Sequence, residues 1–284
     1  MFKITLNQAC TDTSLPVLQR DQLLFGANNG VVSLFDIANS YCYDQTTAVS
    51  NSKVVKNIND SGNDGSLVIN SGQTLTVAGN GFDFAALTSG STYVNGTAAA
   101  AASIWGTGSS DQYFLYCMYI KLPLLSDWNS SGSLHAIMQY AADTGSYQTV
   151  ADLLLIAEAS GGLISFRRQK AANSVDIIGI TPVSADYGSV VQLAFWRNAS
   201  GQFARLKSAN GTITSSSTVG TNNTQNFSAT TQKVGRVGSF TGSANATKYK
   251  YYRSFLENLT VSGRDATTVL DADYARVVAR NVFS

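Results

Sequence analysis

Short apolar and aromatic runs, separated by turns rich in Gly, Asn, Ser and Asp, follow one another along most of the chain. This pattern predicts a series of β-strands. The run at residues 113–122 is apolar or aromatic on both alternating faces, which is typical of a central strand covered on both sides. Pro123 ends the run, because proline cannot donate to a strand ladder. Further strands are predicted at 134–140, 150–157, 163–169, 175–180, 190–197, 202–208 and 248–261.

One α-helix is predicted near the C-terminal end, where Asp265 or Thr267 can cap the first turn. Its stripe follows three- and four-residue spacing through Leu270, Tyr274, Val277, Val278 and Asn281. We expect the stripe to dock on a sheet edge or at the base of a sandwich. Two other segments are expected outside regular structure: the alanine run at 98–102 as a loop or strand edge, and 215–231 as an exposed polar loop.

The order of elements predicts an all-β fold, a two-sheet jelly-roll sandwich with one short C-terminal helix. The alternating helices of an α/β fold do not occur in the pattern. The sandwich is expected to span residues 31–284. Residues 1–30 lack sustained alternation and end in a turn-rich break, which predicts an N-terminal arm or anchoring segment.

Charge and composition narrow the classes of partner. Charged residues make up 13% of the 284 residues, and the 19 Lys and Arg nearly balance the 18 Asp and Glu. Because no basic excess is present to neutralise phosphates, we expect no nucleic-acid partner. The most apolar run, 153–157, is far too short to span a bilayer, so no membrane partner is expected. No apolar stretch follows Met1, which predicts no export signal and assembly in a cytoplasm.

Residue types that commonly serve in catalysis are scarce. His135 is the single histidine and has apolar neighbours, which favours a structural role. Glu158 and Glu257 are far apart in sequence, whereas sugar hydrolysis usually needs two facing carboxylates. We therefore predict that the protein is not an enzyme, and an aspartate-based hydrolase is the weakest alternative. Wide spacing and an odd number predict reduced thiols for the three cysteines, Cys10, Cys42 and Cys117.

One turn has the side chains of a possible calcium site. Asn59, Asp60, Asn63 and Asp64 could supply oxygen ligands for Ca²⁺. The same residues are typical of a turn in which short side chains bind the local backbone. Because the sequence identifies no further carboxylate ligand, we favour the turn and predict neither a metal ion nor a cofactor.

The three tryptophans are candidates for stacking on sugar rings. Trp196 lies inside an apolar run and is expected in the core. Trp128 lies in a polar stretch and is the better candidate for an exposed sugar contact, and Trp105 is ambiguous. An exposed tryptophan can equally anchor a protein partner.

Two stretches mix cations with aromatic residues, as a nucleic-acid groove would. They are the Arg167–Arg168 pair and the segment 248–253, in which lysine and tyrosine alternate up to Arg253. Alternation places Lys248 and Lys250 on one strand face. Solvated positions on an edge strand are the simpler interpretation.

Two regions resemble a known family. The first is NINDSGNDGSL at 57–67 with GFDF at 81–84, which resembles the opening of concanavalin A-like, laminin-G-like lectin and glucanase domains. The strand ending YIKLP at 119–123 is similar to a later strand of that family. The second region, 255–264, reads FLENLTVSGR and is similar to the ends of such domains in virion proteins of tailed bacteriophages. The resemblance extends over residues 31–284.

The resemblance implies a fold and a choice of functions. The glutamate motif E-x-D-x-E of the family's hydrolases is absent from the sequence, so glucanase chemistry is not implied. We expect a non-enzymatic structural component of a tailed-phage particle, in the capsid decoration, collar, baseplate or fibre. It would dock to other virion proteins through residues 1–30, as a homo-oligomer for which we assume a trimer. The alternative is a carbohydrate-binding module used for adhesion to the host surface.

Overall fold

The structure, a computed structural model, describes residues 20–26, 29–59, 62–88, 90–106, 111–128, 132–142, 152–237 and 248–284. Two antiparallel eight-stranded sheets form the fold, which confirms the predicted two-sheet sandwich. The helix-side sheet contains β1 (Val31–Asp36), β4 (Thr76–Ala78), β5 (Gly81–Asp83), β7 (Phe114–Lys121), β12 (Val190–Asn198), β13 (Gly201–Ser208), β14 (Gly211–Ser217) and β16 (Lys250–Asn258). The far sheet contains β2 (Val54–Val55), β3 (Gly65–Val68), β6 (Thr92–Asn95), β8 (His135–Ala141), β9 (Asp152–Glu158), β10 (Ile164–Ala171), β11 (Ser174–Ile180) and β15 (Thr231–Arg236).

The strand order places the most apolar strands at the centre. The helix-side sheet runs β14-β13-β12-β7-β16-β5-β4, with β1 also paired to β16, and the far sheet runs β11-β10-β9-β8-β15-β6-β3-β2. The prediction that 113–122 forms a central strand is confirmed, because β7 lies between β12 and β16. Aromatic side chains contribute to the core between the sheets. Phe195 of the helix-side sheet contacts Phe166 of the far sheet, with ring centroids 5.9 Å apart.

Strand β16 corrects the expectation of a solvated edge. It pairs with β7 along one side and with β1 and β5 along the other, so it lies inside the sheet. Tyr249, Tyr251, Tyr252 and Arg253 are all at most 1% exposed. The alternation of residue types along the strand could not distinguish an edge strand from an interior one. It separates the two faces of the strand but does not show what covers each face. The strand also ends at Asn258, earlier than predicted.

Three α-helices occur among the described residues: α1 (Ala98–Trp105), α2 (Leu259–Ser262) and α3 (Ala266–Arg280). The prediction of a loop or strand edge at 98–102 was wrong. Alanine has the highest intrinsic helix propensity, and the buried side chains of Ile104 and Trp105 hold the last turn of α1 against the core. Helix α2 replaces the end of the predicted last strand. The Asn258 side chain accepts from the Val261 amide and caps it.

Helix α3 confirms the predicted C-terminal helix. The Asp265 side chain accepts from the Thr268 amide, so Asp265 is the cap. The buried stripe differs from the predicted one: Val278 is 56% exposed, whereas Asp273 is fully buried. The buried residues of the helix are Ala266, Val269, Leu270, Asp273 and Val277. The helix packs on the outer face of the helix-side sheet, where the Gln192 side chain donates to the Leu270 carbonyl at 3.0 Å.

Two segments, predicted as an exposed loop and as an arm or anchoring segment, pack against the sandwich in their described parts. Residues 215–217 belong to β14, and Asn223 and Thr230 are buried, so the prediction of an exposed loop at 215–231 was wrong in these parts. Within the predicted arm, residues 20–26 include a 3-10 turn at Gln22–Leu24 whose two leucines lie in the core. Residues 1–19 of the arm lie outside the described residues.

Two further observations concern the predicted partners and thiols. Within the described ranges, no helix has the length and apolarity needed to span a membrane. Cys42 and Cys117 are buried free thiols, as predicted, and burial raises the pKa of Cys42 to about 12. Cys10 lies outside the described residues.

Candidate functional site

Trp128 is not an exposed sugar platform. Its side chain is 7% exposed, its Nε1 donates to the Ala159 carbonyl at 2.8 Å, and its ring meets the Tyr187 ring edge-on at 5.3 Å. The polar neighbours of Trp128 suggested a solvent-facing loop, but the 3-10 turn at Leu125–Asp127 lies directly before it and the indole is turned inward. The expectation of an exposed indole at Trp128 was therefore wrong.

The other two tryptophans are also buried. Trp196 stacks on Phe203 with ring centroids 5.0 Å apart, which confirms its predicted place in the core. Trp105 is 2% exposed at the end of α1, with its ring 5.2 Å from Phe114. A saccharide site on the described surface must therefore use other groups than tryptophan.

Side chains of the Asn59–Asp64 turn bind backbone groups of neighbouring segments. The Asp64 side chain accepts from the Asn57 amide at 2.8 Å, and Asn59 Nδ2 donates to the Val31 carbonyl at 2.9 Å. Asp60 lies outside the described residues. Within the described ranges no group of three or more His, Cys, Asp or Glu is arranged to hold a metal ion. The described contacts are those of an Asx-rich turn that ties β1 to the segment before β3.

The two glutamates lie at separate buried places. Glu257 accepts two hydrogen bonds of 2.7 Å from Arg264, a bidentate pair that joins β16 to the segment before α3. Glu158 is fully buried on β9, opposite His135 on β8. Burial, assisted by the charge of Arg236, lowers the pKa of His135. The two glutamates therefore do not face each other, and the Glu257–Arg264 pair ties β16 to the segment before α3.

Of the predicted basic stretches, the Arg167–Arg168 pair divides between two environments. Arg168 is 1% exposed and pairs with Asp176 at 2.9 Å. Arg167 is half-buried, and its Nε donates to Ser165. Lys248 pairs with Asp127 at 2.7 Å. The pair at 167–168 and the segment 248–253 therefore do not form one continuous basic surface.

A cleft of about 580 Å³ lies beside α3 on the outer face of the helix-side sheet. We call it the α3 cleft. Its walls are the segment at residues 20–22, the loop at 38–40 after β1, and the C-terminal half of α3. Its lining residues are Arg20, Asp21, Gln22, Ala38, Asn39, Ser40, Arg253, Asp273, Arg276, Val277, Ala279 and Arg280.

The floor of the α3 cleft is an ion-pair centre around Arg253. Its Nη1 contacts Asp21 at 2.8 Å and Asp36 at 3.1 Å, and its Nη2 contacts Asp273 at 2.9 Å. Arg253, Asp36 and Asp273 have side chains that are 1% exposed. The centre joins four chain segments: the 20–26 segment, the end of β1, β16 and α3.

Two arginines of α3 form the outer layer of the cleft. Arg276 donates to Asp273 at 3.3 Å, and Arg280 donates to Asp36. Their spacing of four residues places them on one face of the helix, about 5–6 Å apart at Cβ. At the rim, the Arg20 guanidinium lies 3.8 Å from the centroid of the Tyr41 ring. The cleft therefore has carboxylates in its floor and guanidinium groups in its outer layer and at its rim.

The electrostatics of the floor follow from this pairing. Burial alone would lower the pKa of Arg253, but Asp273, Asp21 and Asp36 outweigh it and raise that pKa well above its usual value. Burial likewise would raise the pKa of Asp21, but the charge and hydrogen bond of Arg253, with the Leu23 amide, lower it below 3.8. Asp21 and Arg253 are therefore both charged at neutral pH.

The sequence interpretation missed this site, although one indicator was present. Asp273 stands three or four residues from Leu270, Val269 and Val277, inside the apolar stripe of α3. A carboxylate on a buried helix face needs a cationic partner. That partner, Arg253, was assigned to a solvated edge, so the two were not connected.

Two smaller clefts flank the same region. An apolar slot of about 270 Å³ lies on the other side of α3, between Tyr274 and Phe283, with Tyr119 as its floor. A cleft of about 380 Å³ at the end of β7 has Lys121, Lys248 and Lys250 in its lining. Of the three clefts, the α3 cleft is the largest and has the densest set of polar groups.

Comparison with solved structures identifies the fold. The chain matches the binding domain of botulinum neurotoxin serotype D/C VPI 5993 with a TM-score of 0.52 and 12% identity, over 81% of this chain and 49% of that one. It matches the serotype C1 binding domain with a TM-score of 0.51 and 12% identity, over 82% and 50%. A third structure, with a TM-score of 0.52 and 13% identity over 81% and 48%, belongs to a study of botulinum neurotoxin type C, whose cell entry depends on interaction with two ganglioside molecules.

The likeness to these toxin domains covers only part of them. The chain spans about half the length of the solved chains it matches. No protein-family model matches the sequence. No curated protein matches it either. The chain therefore has the two-sheet concanavalin A-like fold of these toxin binding domains, with a C-terminal helix.

Proposed function

We propose that this chain is a lectin-like domain that binds a glycan in the α3 cleft. The observation that carries the proposal is the presence of both guanidinium and carboxylate groups in one open cleft of about 580 Å³. A sugar hydroxyl both donates and accepts hydrogen bonds, and neighbouring hydroxyls of one ring need a donor and an acceptor side by side. Arg276 and Asp21, whose charges interact, offer such a combination, and Arg280 and Asn39 also line the cleft.

Two further observations support the proposal. The cleft has the size of a typical ligand site, and its floor is held rigid by the ion pairs of Arg253, so little ordering accompanies binding. The type C toxin, whose solved structure has this fold, is described as interacting with ganglioside molecules. The likeness supports a glycan as the class of ligand and leaves the choice of glycan open.

We propose that binding is not followed by a chemical reaction. A general acid works best with a pKa near the working pH. The lowered pKa of Asp21 keeps this carboxyl ionised, and its hydrogen bond to Arg253 occupies one of its oxygens. An activity screen on polysaccharides across pH 4–9 tests this part, and any turnover lost on Asp21→Asn would contradict it.

The experiment for binding is a glycan array followed by titration calorimetry, with a variant that fills the cleft. Ala279 lines the cleft and makes none of its ion pairs, so Ala279→Trp blocks the space and leaves the charges in place. Ala275 is exposed on the same helix and lines none of the three clefts described above, so Ala275→Trp is the matched control. We expect Ala279→Trp to weaken glycan binding at least tenfold and Ala275→Trp to leave it unchanged. Equal binding by both variants, or no glycan bound by the wild type, would contradict the proposal.

A role in a virion is a second proposal, supported by the sequence at 255–264. In the fold this segment is the junction between β16 and α3: Asn258 caps α2, Gly263 adopts φ 59°, and Arg264 pairs with Glu257. The localisation in a particle, the homo-oligomer and the docking of residues 1–30 to other virion proteins stay predictions. Mass spectrometry of purified particles tests them, and absence of the protein from intact particles would remove this proposal.

A further inference from the structure

We propose that the glycan bound in the α3 cleft is acidic, with a carboxylate or a sulfate that is read by Arg276 and Arg280. The inference rests on the proposed glycan function and names the class of ligand for that site. It comes from the charge of the cleft, the unused donors of its arginines and their accessibility.

The charge of the cleft favours an anion. Four guanidinium groups, of Arg20, Arg253, Arg276 and Arg280, gather around three carboxylates, of Asp21, Asp36 and Asp273. Among these described residues, cationic groups outnumber carboxylates by one, so the cleft favours a ligand with an oxyanion over a neutral one. Because the cleft is partly enclosed by protein, screening by salt is weaker there than on an open surface.

The arginines have donors left for a ligand. A guanidinium has five N–H donors, and the pairs described above use one nitrogen each of Arg276 and Arg280. The two side chains are 28% and 35% exposed, so their remaining donors face a space that solvent or ligand can enter. Arginine forks fit carboxylate, sulfate and phosphate oxygens in a bidentate way, which lysine does not reproduce.

A second observation on the floor points the same way. Arg253 lines the cleft with a side chain that is 1% exposed, and its Nε is buried with no hydrogen-bond partner among the described residues. A buried donor without a partner is costly, and such groups in native folds often mark a bound ligand or water. An acceptor bound in the cleft is the kind of group that would satisfy it.

The experiment compares acidic saccharides with neutral matches on the full chain. The pairs are sialyllactose with lactose, trigalacturonate with its methyl ester, and lactose 3′-sulfate with lactose. We expect at least one acidic member to bind ten times more tightly than its match, the ratio expected for a hydrogen bond to a charged group. The first two pairs test a carboxylate and the third tests a sulfate.

Variants assign the preference to the two arginines. We expect Arg276→Gln and Arg280→Gln each to reduce the acidic preference below threefold, and the lysine variants to keep an intermediate preference because they retain charge without the fork. Arg167→Gln, on the far sheet, is the matched control and is expected to keep the full preference. Urea unfolding of each variant confirms that it is folded.

The outcomes separate the inference from the proposed function. Equal binding of acidic and neutral members, or a preference that survives in Arg280→Gln and Arg276→Gln, overturns the acidic inference. If neutral glycans still bind in a way that Ala279→Trp blocks, the proposed function stands without it. If no saccharide binds, the acidic inference and the proposed function are both wrong.

Discussion

Two buried arginines on the helix-side sheet have different partners for their buried charge. Arg253 on β16 is bound by three carboxylates. Arg197 on β12 instead donates to neutral oxygens: the Val219 carbonyl at 2.7 Å, the Gly220 carbonyl at 3.1 Å, and the carbonyl of Asp111 and the side chain of Asn222. The side chain of Arg253 is 1% exposed, and Arg197 as a residue is 3% exposed.

The difference in partners produces a difference in electrostatics. Burial lowers the pKa of Arg197, because dipoles replace water only in part. The three carboxylates raise the pKa of Arg253 in spite of its burial. Arg197 therefore anchors the loop after β14 to the sheet, whereas Arg253 organises the charged floor of the α3 cleft. Two arginines of similar burial thus differ in pKa because carboxylates surround one and neutral oxygens surround the other.

The largest expected effect is that of Arg253→Met. It leaves Asp36 and Asp273 buried without their main cation, which costs about 3–5 kcal/mol of unfolding free energy. Arg197→Met is the comparison variant and should cost about 2 kcal/mol, since the half-exposed loop carbonyls can bind water instead. Urea unfolding of both measures the difference. A larger loss of unfolding free energy for Arg197→Met than for Arg253→Met would contradict the prediction that the Arg253 centre contributes more to stability.

The second effect is a loss of folding stability in acid that arises at the Arg253 centre. Because the pKa of Asp21 is lowered on folding, its stabilisation is complete above the ordinary value of 3.8 and is lost as pH falls below it. Asp21→Asn should cost about 1.5–3 kcal/mol at pH 7 and reduce the loss of stability in acid. Unfolding followed from pH 7 to pH 2 measures this. An unchanged acid profile in the variant would show that Asp21 does not contribute through its charge.

The third effect comes from His135, which belongs to neither centre. Its pKa is lowered on folding, so the unfolded chain takes up a proton first and stability falls as pH drops through 6.5 toward the folded value. The slope is at most about 1.4 kcal/mol per pH unit for one group. His135→Gln should flatten the stability between pH 7 and pH 5. If the stability of His135→Gln still falls between pH 7 and pH 5, a group other than His135 titrates in that range.

The smallest effect is that of Asn222→Ala, which removes one neutral partner of Arg197. The expected cost is about 1 kcal/mol, below the usual range for a hydrogen bond to a charged group, because Arg197 keeps its carbonyl partners, and it should be the same at pH 4 and pH 7. Urea unfolding at the two pH values measures it. A cost that depends on pH would mean that the Arg197 centre is coupled to a titrating group.

Much of the fold was accessible from local patterns. The apolar run at 113–122 predicted the central strand β7, and the spacing after Asp265 predicted α3 with its cap. Both follow from periods of two and 3.6 residues, which adjacent residues in the sequence record directly. Trp128 shows the limit, because its polar neighbours predicted exposure and the indole is nevertheless buried against Tyr187.

The candidate site was not accessible in this way. Its floor joins Asp21, Asp36, Arg253 and Asp273, which are brought together by the docking of the 20–26 segment and α3 onto β1 and β16. Only the buried position of Asp273 on a helical stripe hinted at a cationic partner. The identity of that partner depends on which strand lies beneath the helix.

The all-β class, the central strand, the C-terminal helix and the scarcity of histidine and glutamate were therefore accessible from the amino-acid sequence. These are properties of composition and of short-range periodicity. The folded structure was needed to place β16 inside the sheet, to show all three tryptophans buried, and to bring Arg253 together with Asp21, Asp36 and Asp273. The physical reason is that burial and charge pairing depend on which distant segments cover a side chain, and alternation along a strand does not record this.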